Sequence, residues 1–316
     1  MSFLTKWFRG ITGRVERRYT VKRPGKGWAE APVYQPSEGT LAKVRATTGN
    51  TVDMRSQDGP IFDQGSLGSC TANGWAGLMM FVCKKLFGDT FIASRLMIYW
   101  LERNLNGQTN DDAGAEVADG AKVLSSTGTC AESEWPYDIS KFKQQPPASC
   151  YTSAAQHKLV TPLQVKQDLD HMKACLSEGF PFVFGFDVYS SFESISVSRT
   201  GIVPMPKPFE RLLGGHEVEA IGFIDGDGNA QFARTSDRIR YSFGRFSTWL
   251  THLMRILTGS SAFAVTPPTN CFIIRNSWGT SWGDKGYCYM PYDYLTGKHA
   301  SDMWTVRHAT DGSKAA

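Results

Sequence analysis

The stretch Asp63–Gly74, DQGSLGSCTANG, places Cys70 directly after two small residues and six residues after Gln64. Beyond it, apolar residues recur with helical spacing as far as Gly88, which predicts a buried helix with Cys70 in its first turn. Ser69, or one of the residues just before it, is expected to cap this helix. These apolar residues are Ala72, Trp75, Ala76, Met79, Cys83 and Leu86. Because a helix N-terminus stabilises a thiolate, Cys70 is either a buried structural thiol or a nucleophile.

Composition excludes several classes of protein. The chain has 316 residues and a net charge of +4, too small to indicate nucleic-acid binding without a matching motif. No apolar run approaches the roughly 20 residues that span a bilayer. None of the seven cysteines is spaced as C-x-x-C, so we expect no metal site. The first residues lack the features of a signal peptide, and we therefore expect an intracellular, cytoplasmic protein with reduced thiols, a virion or host-cell setting included.

The chain divides into three predicted parts. Residues 1–49 combine a basic amphipathic segment, residues 2–18, with a Pro/Gly-rich stretch typical of an extended linker. Residues 50–310 form the globular domain, and residues 311–316 a flexible tail. We interpret the first part as a short pro-region or a docking element.

Within the globular part, helical patterns come first and short β patterns follow, which indicates an α+β fold. Turn-like residues bound an arginine-rich segment, residues 229–269, which we interpret as an insertion in a β hairpin. Residues 246–257 of this segment carry an apolar stripe with helical spacing.

A cysteine nucleophile needs a base, and the base needs a group that orients it. Among the six histidines, His216 has the setting of a site residue, because it follows two glycines and begins a predicted strand. Asn276 supplies an amide that could orient the imidazole, and Trp278 and Trp282 could shield that hydrogen bond from water. The sequence therefore contains the components of a Cys–His–Asn site.

Three motifs, in this order, resemble those of the papain-like cysteine peptidases. They are Gln-Gly-x-x-Gly-Ser-Cys at 64–70, Gly-Gly-His at 214–216 and Asn-Ser-Trp-Gly-x-x-Trp-Gly at 276–283. The stretches LGSCTAN, SRLMIYWLERN, WPYDI and GIVPMPKP are similar to the microbial and viral branch of that family. The resemblance implies a two-lobed papain-like fold, with a helical lobe, a β-barrel-like lobe and an active-site cleft between them.

The resemblance also implies the role of each site residue. Cys70 would be the nucleophile, His216 its imidazolium partner and later general acid, and Asn276 the group that orients the imidazole. Gln64 would form the oxyanion hole with the Cys70 backbone N–H. The chain would hydrolyse peptide bonds in a polypeptide substrate through a thioester, without metal or cofactor. One departure is Leu67, which replaces a usual bridging cysteine, so we expect no disulfide near the site.

Further residues are expected to contact the substrate. These are Gly68, Ser69, Gly114, Gly214, Gly215, Glu217 and Trp278. Glu217 would border the pocket for the second residue before the scissile bond, unless its side chain faces solvent.

Two other functions remain open. One is a binding or scaffold protein of the same fold with a blocked cleft, and the other is a transacylase that uses the same thiolate. Because residues 2–18 and 246–257 pair apolar with basic faces, each is also a candidate for docking to a membrane surface or a partner protein. We expect deletion of residues 1–40 to leave the hydrolysis of a small peptide unchanged.

Overall fold

Helices dominate the first half of the chain and strands the second, as the sequence predicts. The computed structural model describes residues 17–24, 31–226 and 266–310. The helices are α1 Glu38–Ala46, α2 Cys70–Phe87, α3 Arg95–Asn104, α4 Val117–Ser126, α5 Ala148–Ala154, α6 Leu169–Ser177, α7 Ile195–Thr200 and α8 Tyr292–Thr296. The strands are β1 Thr51–Asp53, β2 Leu159–Val160, β3 Leu163–Gln164, β4 Phe182–Tyr189, β5 Leu212–Ile224, β6 Cys271–Arg275, β7 Tyr287–Pro291, β8 Ala300–Thr305 and β9 His308–Ala309.

Some predicted features lie outside the described residues. They are residues 2–16 of the N-terminal amphipathic segment, residues 246–257, most of the segment 229–269, and the tail 311–316.

An antiparallel sheet in the order β3-β8-β4-β5-β6-β7 forms the β lobe, and β1 pairs with β5. Strand β4 is almost wholly buried, which explains why FVFGFDVY reads as a nearly continuous apolar run rather than as an alternating one. The long strand β5 pairs with β4 on one side and with β6 on the other, where Glu219 faces Arg275. Strands β5 and β6 are therefore antiparallel neighbours, and residues 229–269 lie between them in the chain.

Helix α2 begins at Cys70 and ends before Gly88, as predicted from the apolar spacing. Gly88 adopts φ +70°, a left-handed conformation that suits a glycine at the helix C-terminus. The prediction for Ser69 is wrong in part: this residue occupies the N-cap position, but its hydroxyl makes no capping hydrogen bond. The start of α2 is held by other contacts, described below.

Helix α2 approaches β5 and β6 through two of its glycines. A Cβ atom on Gly74 would lie 2.6 Å from Oε1 of Glu217, and one on Gly77 would overlap Nη1 of Arg275. Arg275 is only 4% exposed and lies between two carboxylates, with Nε 3.1 Å from Asp58 and Nη1 3.4 Å from Glu219. Small residues on α2 thus leave room at the lobe interface for the buried ion pairs of Arg275.

The prediction of an extended linker is wrong for residues 31–46, because these residues pack on the β lobe. Val33 forms a parallel bridge with Gln164, and the Tyr34 backbone N–H donates to the Gln164 carbonyl at 2.8 Å. The Tyr34 hydroxyl donates to Glu178 at 2.6 Å, and α1 contacts α6. Residues 31–46 therefore belong to the folded domain.

We expect Gly77→Ala to lower the free energy of unfolding by about 2–4 kcal/mol, because the added methyl would displace Arg275 from its buried carboxylates. Gly39→Ala, in α1, is the matched control, since a Cβ there would meet nothing within 4 Å. The control should change stability by less than about 1 kcal/mol. Chemical denaturation of both variants measures the difference, and equal stabilities would contradict this account of the lobe interface.

Candidate active site

The imidazole of His216 and the amide of Asn276 are hydrogen-bonded across the neighbouring strands β5 and β6. His216 Nε2 lies 2.9 Å from Asn276 Oδ1, and both side chains are buried. The Ser277 backbone N–H also donates to Asn276 Oδ1 at 2.8 Å, which identifies this atom as the acceptor. Nε2 therefore carries a proton, and the neutral ring has its lone pair on Nδ1.

Aromatic rings enclose this hydrogen bond. The ring centroid of His216 lies 5.0 Å from that of Trp278 and 5.6 Å from that of Phe186. Trp282 in turn packs against Trp278 at 5.0 Å. The two tryptophans therefore lie where the sequence predicts a cover over the Asn–His pair. Nδ1 of His216 is buried and has no hydrogen-bond partner within residues 17–24, 31–226 and 266–310.

Cys70 lies fully buried at the start of α2, against β5. Burial raises the pKa of its thiol to about 12, and a backbone N–H of Glu217, the residue after His216, acts in the opposite direction. Burial also lowers the pKa of His216 to about 4, although the Asn276 hydrogen bond opposes this. In this closed state both groups are neutral at pH 7, since a thiol with a pKa of about 12 ionises to only about 1 part in 10⁵.

Gln64 connects the turn before α2 with the loop after β6. Its backbone N–H donates to the Ser277 carbonyl at 2.9 Å, and its side-chain Oε1 accepts from Ser277 Oγ at 2.6 Å. Nε2 donates one of its two hydrogens to the Leu67 carbonyl at 2.9 Å. Within residues 17–24, 31–226 and 266–310, the second amide hydrogen has no acceptor among the hydrogen bonds described.

Residues 17–24 occupy the groove between the lobes. The Val21 backbone N–H donates to the Gly215 carbonyl of the β lobe at 3.1 Å, and that of Lys22 donates to the Ala115 carbonyl of the helical lobe at 3.0 Å. The Thr20 hydroxyl donates to the Gly68 carbonyl at 2.9 Å. The N-terminal segment therefore bridges both walls of the groove through its backbone.

Side chains of the same segment cover the His–Asn pair. Tyr19 lies edge-on to His216, with ring centroids 6.2 Å apart, and donates from its hydroxyl to Glu193. The guanidinium of Arg17 lies 4.1 Å from the centroid of the Trp278 ring. These contacts help to exclude water from the imidazole.

Four of the glycines predicted to contact substrate line this groove. A Cβ atom added to any of these glycines would collide with an atom of residues 19–21, at a distance shorter than Cβ contacts in real proteins. The glycines are Gly68 and Gly114 on the helical lobe and Gly214 and Gly215 on β5. Gly114 also has φ +66°, which strains any other residue.

The other predicted substrate contacts divide into two groups. Trp278 lies in the groove beneath Arg17. The predictions for Ser69 and Glu217 are wrong with respect to their side chains. The Ser69 hydroxyl is buried against Tyr137, and the Glu217 carboxylate points at Gly74 of α2. Glu217 is only 1% exposed, so it faces neither the groove nor solvent.

Sequence reasoning missed residues 17–24 and Tyr137 as parts of this site. Residues 17–24 have the basic sequence RRYTVKRP, which is compatible with an extended backbone. No pattern in this sequence indicates where on the domain it would bind. The WPYDI stretch that contains Tyr137 carries no signal for this site apart from the family resemblance.

Residues 17–24, 31–226 and 266–310 contain no helix with the length and apolar character needed to cross a membrane. Nor do they contain a cluster of three or more His, Cys, Asp or Glu side chains suited to a metal ion.

Known proteins resemble this chain in sequence or in fold. An uncharacterized peptidase C1-like protein of Acanthamoeba polyphaga mimivirus is 36% identical over 259 residues, which cover 79% of this chain and 70% of the relative. The crystal structure of xylellain, a cysteine protease from Xylella fastidiosa, superposes with a TM-score of 0.71 and 31% identity, over 93% of this chain and 97% of xylellain.

A third comparison supports the fold alone. Procathepsin B S9 from Trypanosoma congolense matches with a TM-score of 0.60 at 15% identity, over 98% of each chain. The model of the papain family cysteine proteases matches residues 48–302, from before Gln64 to beyond Asn276. The chain therefore belongs to the papain family of cysteine peptidases, hydrolases that act on polypeptides.

Proposed function

We propose that the chain is a cysteine endopeptidase that works through Cys70, His216 and Asn276, and that residues 17–24 keep it latent. The observation that carries the catalytic part is the hydrogen bond between His216 Nε2 and Asn276 Oδ1. It leaves Nδ1, the ring atom with the free lone pair, available to the thiol of Cys70.

The reaction begins when the Cys70 proton passes to His216 Nδ1, which gives a thiolate and an imidazolium. The sulfur attacks the scissile carbonyl carbon, and the C=O electron pair moves to oxygen as an oxyanion. His216 then donates the proton to the leaving amine as the C–N bond breaks, and a thioester on Cys70 remains. Water attacks the thioester with His216 as base, and the acid product leaves as the thiol is regenerated.

Gln64 and the Cys70 backbone N–H stabilise the oxyanion. Support comes from the rigid setting of the Gln64 amide, whose oxygen is fixed by Ser277 and whose nitrogen keeps one hydrogen free. A donor of this kind contributes roughly 10²- to 10³-fold to turnover.

Latency follows from two effects of residues 17–24. Their backbone uses the Gly215 and Ala115 carbonyls that a substrate strand would need. They also contribute to the burial that favours a neutral thiol and a neutral imidazole over the reactive ion pair. Opening the groove would admit both water and substrate.

The filled groove also favours a second candidate function, a binding protein of this fold whose cleft is permanently blocked. The two differ in whether Cys70 reacts when residues 17–24 are displaced. A transacylase would react too, but it would transfer the acyl group to an added amine in preference to water.

We expect Cys70→Ala to abolish peptide hydrolysis without loss of folding, because the thiolate is the nucleophile. Asn276→Ala should lower kcat and leave measurable activity, since His216 can still accept the thiol proton. Turnover of a fluorogenic peptide measures both, with circular dichroism as the folding control. Hydrolysis by Cys70→Ala near the parent rate, or no effect of Asn276→Ala, would refute the corresponding role.

We expect Val21→Pro, in the full-length chain, to raise peptide turnover at least about 10-fold, because proline cannot donate to the Gly215 carbonyl. Val21→Thr, which keeps the shape and the N–H, should remain near the parent rate. Covalent labelling by a peptidyl epoxysuccinate, located by mass spectrometry, should increase in parallel at Cys70.

The alkylation of Cys70 by iodoacetamide should also change with pH in the opened variant. Hydration lowers the thiol pKa and raises that of His216, so the rate near pH 6 should rise relative to the parent. If Val21→Pro stays unreactive and inactive, a permanently blocked cleft is the better account.

The expectation for deletion of residues 1–40 also changes. Such a deletion would empty the groove and would remove the pairing of Val33 and Tyr34 with Gln164. It should therefore raise activity per folded molecule and reduce stability at the same time. Docking through residues 2–18 or 246–257 stays a prediction.

A further inference from the structure

Ser69 directly precedes Cys70 at the N-cap of α2, yet its hydroxyl does not cap the helix. Its Oγ lies 2.5 Å from the phenol oxygen of Tyr137 instead. The same phenol donates to the backbone carbonyl of Gln64 at 3.1 Å. One side chain thus joins the two backbone segments that carry the oxyanion donors.

The donors and acceptors of Ser69, Tyr137 and the Gln64 carbonyl are compatible with only one direction of hydrogen bonding. Tyr137 has a single O–H, and the Gln64 carbonyl can only accept, so the phenol proton belongs to that bond. Ser69 must then donate to Tyr137, and Ser69 Oγ accepts from Asn73 Nδ2 at 3.2 Å. Burial raises the pKa of Tyr137 to about 12, so the phenol keeps its proton at neutral pH.

A buried arginine holds both ends of this chain of hydrogen bonds. Arg95 Nη1 donates to Asn73 Oδ1 at 3.2 Å and to the Asp63 carbonyl at 3.3 Å. Its guanidinium carbon lies 4.0 Å from the centroid of the Tyr137 ring. Glu132 pairs with it at 2.6 Å and fixes its orientation. The phenol therefore has little freedom to move.

We propose that Tyr137 is a positioning residue for the oxyanion hole, which fixes the Gln64 backbone against the start of α2. The inference rests on the proposed function of Cys70 and Gln64. Tyr137 acts through Gln64 and not on the substrate, so its loss should affect the stabilisation of the oxyanion more than the binding of the peptide.

Tyr137→Phe removes the hydroxyl and keeps the ring beneath Arg95. We expect kcat to fall about 10-fold with KM within about 2-fold, because a displaced oxyanion donor loses part of its 10²- to 10³-fold contribution. The affinity for a peptide aldehyde, whose thiol adduct places an oxyanion in the hole, should fall by a similar factor. Alkylation of Cys70 by iodoacetamide forms no oxyanion, and its rate should not change.

The measurements are made on the full-length chain, with and without Val21→Pro. Tyr151→Phe is the matched control, since Tyr151 lies in the same lobe and its hydroxyl contacts only Gln145, at 3.5 Å, among the hydrogen bonds described for it. This control should keep the parent kcat.

Ser69→Ala breaks the same chain of hydrogen bonds and should lower kcat in the same direction. If the two residues act in one chain, the double variant Ser69→Ala/Tyr137→Phe should lose less than the product of the single losses.

Three outcomes would overturn the inference. One is a kcat for Tyr137→Phe within about 2-fold of the parent. Another is an unchanged aldehyde affinity. The third is an equal loss in turnover and in Cys70 alkylation, which would indicate general distortion of the site. Activity retained by Cys70→Ala would instead refute the proposed function, so the two failures are distinguishable.

Discussion

The close approach of α2 to β5 is the constraint on which the site depends. Gly74 and Gly77 bring the helix against strands that carry Glu217 and the ion-paired Arg275. A helix with larger residues there would stand farther from the strand, and Cys70 would move away from the residues around His216. The contacts at the lobe interface therefore set the geometry of the candidate site as well as the stability of the fold.

The place of Cys70 at the start of α2 and the pairing of His216 with Asn276 could be predicted because the sequence signals for them are local. The apolar spacing after Cys70, the glycines before His216 and the residues after β6 each lie within one short stretch. The placement of residues 17–24 in the groove could not be predicted. Nor could the directions of the Ser69 and Glu217 side chains, since each depends on a partner distant in the chain. The hydroxyl of Ser69 illustrates the difference. Its local propensity predicts a cap for α2, but the hydroxyl is hydrogen-bonded to Tyr137 instead.

In the proposed mechanism, hydration of the groove is the variable that separates the latent state from the reactive state. With residues 17–24 in place, the thiol and the imidazole are buried and neutral, and the His216–Asn276 hydrogen bond is already formed. Activation as proposed would need no rearrangement of that bond. It would need only enough water in the groove to stabilise a thiolate and an imidazolium, and the tryptophans around the His–Asn pair would confine that water to the side from which substrate enters.

The glycine-lined groove has a consequence for how such a protein can vary. Gly68, Gly114, Gly214 and Gly215 leave no room for a Cβ atom beside residues 19–21. A larger residue at any of these positions that displaced the N-terminal segment would therefore also narrow the path of a substrate. Under the proposed latency, a change at one of these glycines would relieve inhibition only with a loss of turnover. The strength of inhibition would then be set by the side chains of residues 17–24 and not by the walls of the groove.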